Sequence, residues 1–159
     1  MLTTFADVDA LAERLGAEAG HSAWLRIDQA RIDEFAALTG DRQWIHVDPA
    51  RCATQSPYKA TVAHGFLTVS LLPRFRQEAI AVESARMSVN YGFDRLRFLA
   101  PVPVDSEIRA VFSVAALART GAVARVSWDV SVEIRGSAKA ALAAVWISQI
   151  YEGPSSSDA

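Results

Sequence analysis

Apolar positions fall into two textures along the chain, helical before residue 84 and strand-like after it. Phe5, Val8, Leu11, Ala12 and Leu15 recur at three- and four-residue spacing, the mark of a helix face, and Gly16 and Gly20 bring that segment to an end. A short strand is expected over 23–27. Asp28 then supplies an N-cap for a helix carrying Ile32, Phe35, Ala36 and Leu38, and Gly40 stops it. Residues 48–54 (DPARCAT) read as a short helix opened by Asp48 and Pro49, and 55–63 as loop. Residues 65–75 (GFLTVSLLPRF) are apolar on nearly every side, which predicts a buried helix that Pro73 ends or kinks.

After residue 84, segments 87–91, 95–99, 106–116, 122–134 and 140–151 alternate or run apolar, with many β-branched and aromatic residues. Gly92, Pro101, Pro103, Thr120, Gly121 and Gly136 separate them as turn signals. Helices followed by long antiparallel strands predict an α+β fold. A helix apolar all round needs a sheet to cover it. A long curved antiparallel sheet wrapped around a central apolar helix is the hot-dog arrangement.

A length of 159 residues suits one domain, expected over 1–151, with 152–159 (EGPSSSDA) as a disordered tail. Sixteen basic and eighteen acidic residues leave a net charge of −2, no footprint for nucleic acid or an anionic membrane. The single cysteine, Cys52, allows no intrachain disulfide and fits a reducing compartment. It reads as a small buried hydrophobe rather than a nucleophile. The N-terminus lacks the basic start and apolar core of a signal peptide, and no apolar run approaches the ~20 residues that span a bilayer. A cytoplasmic protein is expected.

The candidate chemistry lies in GDRQWIHVDPARC, residues 40–52. Asp41 alone is an ordinary turn residue after a helix-ending glycine, and His46 alone an ordinary packing histidine. Together, a carboxylate and an imidazole on one short loop can hold a single water, remove one proton from it and deliver another to a substrate. Gly65 at the mouth of the apolar helix permits a tight turn. It also exposes a free N–H that could meet a developing oxyanion. Arg74, Arg76, Arg95 and Arg97 read either as solvated faces or as a phosphate clamp. No cluster has metal-ligand spacing.

FAALTGDRQWIHVD (35–48) followed by TVAHGFLTVSLLP (61–73) resembles the MaoC-like dehydratase family. The branch it looks most like includes nodulation protein N and (R)-specific enoyl-CoA hydratases. Residues 90–104 (NYGFDRLRFLAPVPV) are also family-like. The resemblance implies a hot-dog homodimer and a substrate carried as an acyl-CoA thioester, with no metal and no separate cofactor. By position it makes Asp41 and His46 the catalytic pair and Gly65 the backbone oxyanion donor. Gln43, which stands where the motif has Asn, is expected with Trp44, Tyr58 and His64 to contact substrate. The activity implied is (R)-specific hydration of a trans-2-enoyl-CoA, or the reverse dehydration. A hot-dog acyl-CoA thioesterase and a non-catalytic acyl-thioester-binding protein are the alternatives. The chain departs from the family at Gln43-Trp44 (for Asn-Pro), at Tyr58-Lys59-Ala60 (for an aromatic followed by glycines), and at Leu99 and Asp105 (for proline and glycine).

Overall fold

The computed structural model describes residues 2–153. Thr3–Phe5 is a strand (β1) and Val8–Ala12 a short helix (α1) capped by Asp7, whose carboxylate accepts the Ala10 N–H. The first helix is thus shorter than its apolar repeat implies, because Phe5 lies on β1 and Leu15 bridges to Val114. Glu18–His21 (β2) and Leu25–Arg26 (β3) follow. Gln29–Thr39 (α2) begins and ends where its caps place it. Asp28 accepts the Arg31 N–H, and Gly40 closes the helix at φ 79°. Two short helices, Trp44–Val47 (α3) and Pro49–Gln55 (α4), meet at Asp48, which caps the second.

The apolar helix is two pieces, Gly65–Ser70 (α5) and Leu72–Ala79 (α6), broken at Leu71. The break falls two residues before Pro73, which sits in the first turn of α6, where a missing N–H costs nothing. Ile80–Val82 (β4) then pairs in parallel with β1. Three residues hold too few alternations for either strand to show in the apolar pattern.

Ala85–Phe98 (β5), Glu107–Thr120 (β6), Val123–Ile134 (β7) and Leu142–Glu152 (β8) form an antiparallel sheet in the order β2-β6-β7-β8-β5, with β3 also on β6. Gly92, expected as a turn, lies inside β5. The irregularity it marks is a register shift between Asn90 and Gly92 that leaves pairing with β8 intact. β8 reaches Glu152, one residue into the segment expected as tail, and 154–159 lie outside the described residues.

Buried positions alternate along all of β7 and along 107–114 of β6, so one face of the sheet covers α5 and α6. Phe112, Trp128 and Trp146 pack on that face with Leu67, Leu72 and Phe75. The buried Trp128 N–H is satisfied by the Ser148 hydroxyl at 2.9 Å. β5 differs from its neighbours. It is an edge strand, and Met87, Val89, Tyr91 and Phe93 on it are exposed.

Lys59 and Asp105 both take positive φ, 58° and 67°. These are sites where the resemblance implies glycine, and the chain takes a glycine-type backbone there without the glycine. Asp105 is held by Arg26 at 2.8 Å.

Candidate active site

Two segments far apart in sequence are stitched together here. The Val62 N–H donates to the Ile45 carbonyl at 3.1 Å, and the His46 Nδ1–H donates to the Val62 carbonyl at 2.6 Å. Gln29, on α2, bridges the same two segments. Its amide nitrogen donates to the His46 carbonyl at 2.8 Å, and its amide oxygen accepts the Thr61 hydroxyl at 2.6 Å. A third segment fixes 61–63 from the other side, through Ala63 N–H to the Val102 carbonyl (2.8 Å) and Val104 N–H to the Thr61 carbonyl (2.9 Å). The partners in this junction are backbone groups, one amide, one hydroxyl and one imidazole, with no carboxylate or cationic side chain among them, so it is held by geometry rather than by ion pairs.

The junction places Asp41, His46 and His64 together, with one side-chain acceptor or donor atom of each within 4.8 Å of the other two. That span suits one water, since two hydrogen bonds of about 2.8 Å each bridge it. Asp41 is exposed, and its Oδ1 accepts the Gln43 N–H at 3.3 Å. His46 is 7% exposed. A carbonyl can only accept, so the proton of His46 is on Nδ1 and Nε2 keeps its lone pair. Burial lowers the pKa of His46 below the ordinary histidine value, and neighbouring His64 adds to this. The Val62 carbonyl and Asp41 pull the other way without reversing it. The imidazole is therefore a neutral base at neutral pH.

The three residues also form a carboxylate–imidazole set of the type that binds metal ions. Their geometry suits an ion poorly. The His46 and His64 rings stack at 3.8 Å with planes 26° apart, and ring lone pairs lie in those planes. Zinc at about 2.0–2.1 Å from each nitrogen needs both lone pairs aimed at one point.

Gly65 opens α5 as its first residue. His64, just before it, has extended backbone (φ −59°, ψ 136°) and makes no side-chain cap. The Gly65 N–H is therefore one of the unpaired donors of a helix start. The edge of the Phe98 ring lies over this glycine, so that a Cβ there would stand 2.8–3.0 Å from ring carbons. A cavity of about 430 Å³ opens beside it, lined by Tyr58, Phe66, Phe98 and Pro101 among others. Its wall includes Ala63 and Gly65, on either side of His64, but neither Asp41 nor His46.

Of the expected contact residues, Tyr58 lines this cavity. Gln43 is exposed at the start of α3, and half-buried Trp44 lies under the Arg51 guanidinium at 4.3 Å. Neither is part of the cavity wall. His64 is 2% exposed, beneath His46 rather than beside the opening. Burial, with Asp48 nearby, pushes the Cys52 thiol up, in keeping with an inert core residue. Arg95 and Arg97 line a different groove with Val111, Asp129 and Val145, and Arg74 pairs with Glu78 at 2.8 Å. Sequence reasoning passed over Gln29, Thr61 and Val62. A polar residue on a helix face and a loop carbonyl carry no signal until the two segments meet.

A family model for the MaoC like domain matches residues 10–134. The chain is 42% identical over 144 residues to 3-hydroxyacyl-thioester dehydratase Z of Mycobacterium tuberculosis, covering 90% of this chain and 95% of that one. It is equally 42% identical, over 143 residues and 89% of each chain, to nodulation protein N of Rhizobium leguminosarum bv. viciae. Among solved structures it resembles an (R)-hydratase from A. caviae involved in PHA biosynthesis, with a TM-score of 0.67 and 27% identity over 84% of this chain and 94% of that one. A monoamine oxidase regulatory protein from Archaeoglobus fulgius shares the fold at a TM-score of 0.76 and 19% identity, over 97% and 100% of the two chains. The chain belongs to the MaoC-like family, in the branch that holds 3-hydroxyacyl-thioester dehydratase Z and nodulation protein N.

Proposed function

We propose that this hydro-lyase adds water across the 2,3 double bond of a trans-2-enoyl-CoA to give the (R)-3-hydroxyacyl-CoA, and runs the reverse dehydration. The observation that carries the reading is the Asp41 carboxylate and a ring nitrogen of His46 within 4.8 Å, close enough for one water to touch both, with Nδ1 of His46 already bonded to the Val62 carbonyl. The thioester class and the (R) configuration are supported by the relatives, which are a 3-hydroxyacyl-thioester dehydratase and an (R)-hydratase.

The thioester carbonyl withdraws electrons and makes C3 electrophilic. The carboxylate of Asp41 accepts one hydrogen of the water and orients it. Nε2 of His46 removes the other as the oxygen bonds to C3. The electron pair of the double bond moves toward the thioester oxygen, where the Gly65 N–H meets the charge. The imidazolium then returns its proton to C2, and both residues end as they began. Every proton in this cycle comes from the water, so no metal or redox cofactor is required by the chemistry.

The test is loss of enoyl absorbance with crotonyl-CoA and a longer enoyl-CoA, followed by chiral analysis of the product. Hydration to a single (R) product is the expected result. Release of free CoA without hydration would make the chain a thioesterase, and binding without turnover would make it an acyl-thioester carrier.

The working unit is a homodimer. β5 presents fourteen residues of open edge with five exposed large apolar side chains, and such an edge is paired or covered in a stable protein. Two copies meeting there would bring Phe98, at the end of β5 and beside Gly65, close to the partner. Light scattering is expected to return twice the 17.2 kDa chain mass. A monomer mass across a range of concentrations defeats this.

A further inference from the structure

We propose that His64 is a positioning residue that assembles the acid–base pair, holding the Asp41 loop with one edge of its ring and His46 with one face. The inference rests on the hydration reading and extends it to a residue that touches no substrate.

The His64 ring is 2% exposed and lies between two others, His46 at 3.8 Å and Phe35 at 5.1 Å. Its Nε2 is 2.9 Å from the Asp41 backbone carbonyl. That oxygen can only accept, so the hydrogen is on Nε2 and Nδ1 carries a lone pair. Nδ1 is buried and has no hydrogen-bond partner among the described residues. A buried acceptor left unpaired costs stability, and an apolar side chain of similar size would avoid that cost. The bond that the ring does make explains why a histidine stands there. It is a direct side-chain link from the His64 segment to residue 41, because the junction described above ties down 45–46 and leaves 40–43 exposed. The two histidines therefore share the work through opposite tautomers. His46 is bonded through Nδ1 and leaves Nε2 free to act, whereas His64 is bonded through Nε2 and leaves Nδ1 sealed away from solvent.

Two substitutions separate the parts. His64→Phe keeps a ring under His46 and loses the N–H. His64→Gln keeps an N–H of similar reach and loses the ring. Assayed well below their melting temperatures, the Phe variant is expected to lose about 10–100-fold in kcat with KM within about threefold, the penalty of a mispositioned group. The Gln variant is expected to recover most of that loss. A packing role alone would lower melting temperature and leave kcat of the folded enzyme unchanged. A second measurement does not depend on turnover. Hydrogen exchange at the amides of 41–43 is expected to quicken in the Phe variant and stay near wild type in the Gln variant. If Phe fails to fold, His64→Asn, too short to reach the carbonyl, takes its place with the same expectations. Near-wild-type kcat in the Phe variant, or a Gln variant no better than Phe in both measurements, overturns the proposal. A wild-type chain inactive on every enoyl thioester overturns the hydration reading instead, and the exchange measurement still decides the positioning of residue 41.

Discussion

Gly65→Pro is expected to lower kcat by about 10²–10³ in a chain that still folds, the loss associated with removing one oxyanion donor. The backbone at this point is prepared for proline. Gly65 is the first residue of α5, where the N–H has no intrahelical partner to lose. His64 before it already has the extended ψ of 136° that a residue preceding proline adopts. The substitution therefore deletes a hydrogen and leaves the path of the chain in place. It also adds carbon where the Phe98 ring lies 2.8–3.0 Å from an ideal Cβ. Gly65→Ala is the control, since it sets the same Cβ against Phe98 and keeps the N–H. Phe98 is half-exposed and free to swing outward, so the Ala variant is expected to raise KM and to keep kcat within about tenfold. Equal kcat in the two variants would mean that crowding, not the lost donor, is responsible. Circular dichroism and melting temperature show whether each variant has folded.

The legible parts of this molecule are those where a local rule and the tertiary structure ask for the same thing. Asp28 and Gly40 bound α2 in the sequence and in the fold, because caps act within one turn of the chain. β7 and the first half of β6 alternate because one face is buried there, so their pattern records the core directly. β5 has no buried face to record. Gly92 consequently stood out as the strongest local feature and suggested a turn, where pairing with β8 keeps one strand continuous. Lys59 and Asp105 mislead in the opposite sense. They stand where the resemblance implies glycine, yet each adopts the positive φ that glycine would supply.

The site divides in the same way. Motif spacing singles out Asp41, His46 and Gly65, and the structure brings the first two together and sets the third at a helix start. The bonds that hold them run from Gln29 to Thr61 and from His64 to a backbone carbonyl. Backbone acceptors have no residue identity, so nothing in the sequence marks them. His64 adjoins Gly65 in the sequence but not in its surroundings. A helix start turns successive residues to different sides, and the structure carries His64 inward to His46 while Gly65 borders the cavity.

The largest effect is expected at the pair itself. Asp41→Asn keeps an oxygen for the Gln43 N–H, so the turn survives while the charge is lost. For His46, asparagine is the conservative change, because its amide nitrogen takes the place of Nδ1 and can still donate to the Val62 carbonyl while nothing replaces Nε2. Each variant should lose several orders of magnitude in kcat and keep enoyl-CoA affinity within about tenfold, because neither group is asked to hold the coenzyme. The double variant should be little worse than the worse single one, since two groups acting on one water fail as a unit. The pH profile follows from the lowered pKa of His46. Turnover should hold at neutral pH and fall only as pH drops through that lowered value, when Nε2 becomes protonated. Stability follows the same sign. The folded chain binds the proton less readily than the unfolded chain, whose histidine titrates near 6.5, so stability declines as pH falls from about 6.5 toward the folded value. In His46→Asn both acid-side losses should be reduced, because the titrating group is gone. If Asp41 were only a turn residue and His46 only a packing residue, Asp41→Asn would be nearly silent and His46→Asn would register as a lower melting temperature with normal turnover. Near-wild-type kcat in folded Asp41→Asn would sink the mechanism, and the pair would have to be reassigned from chemistry to architecture.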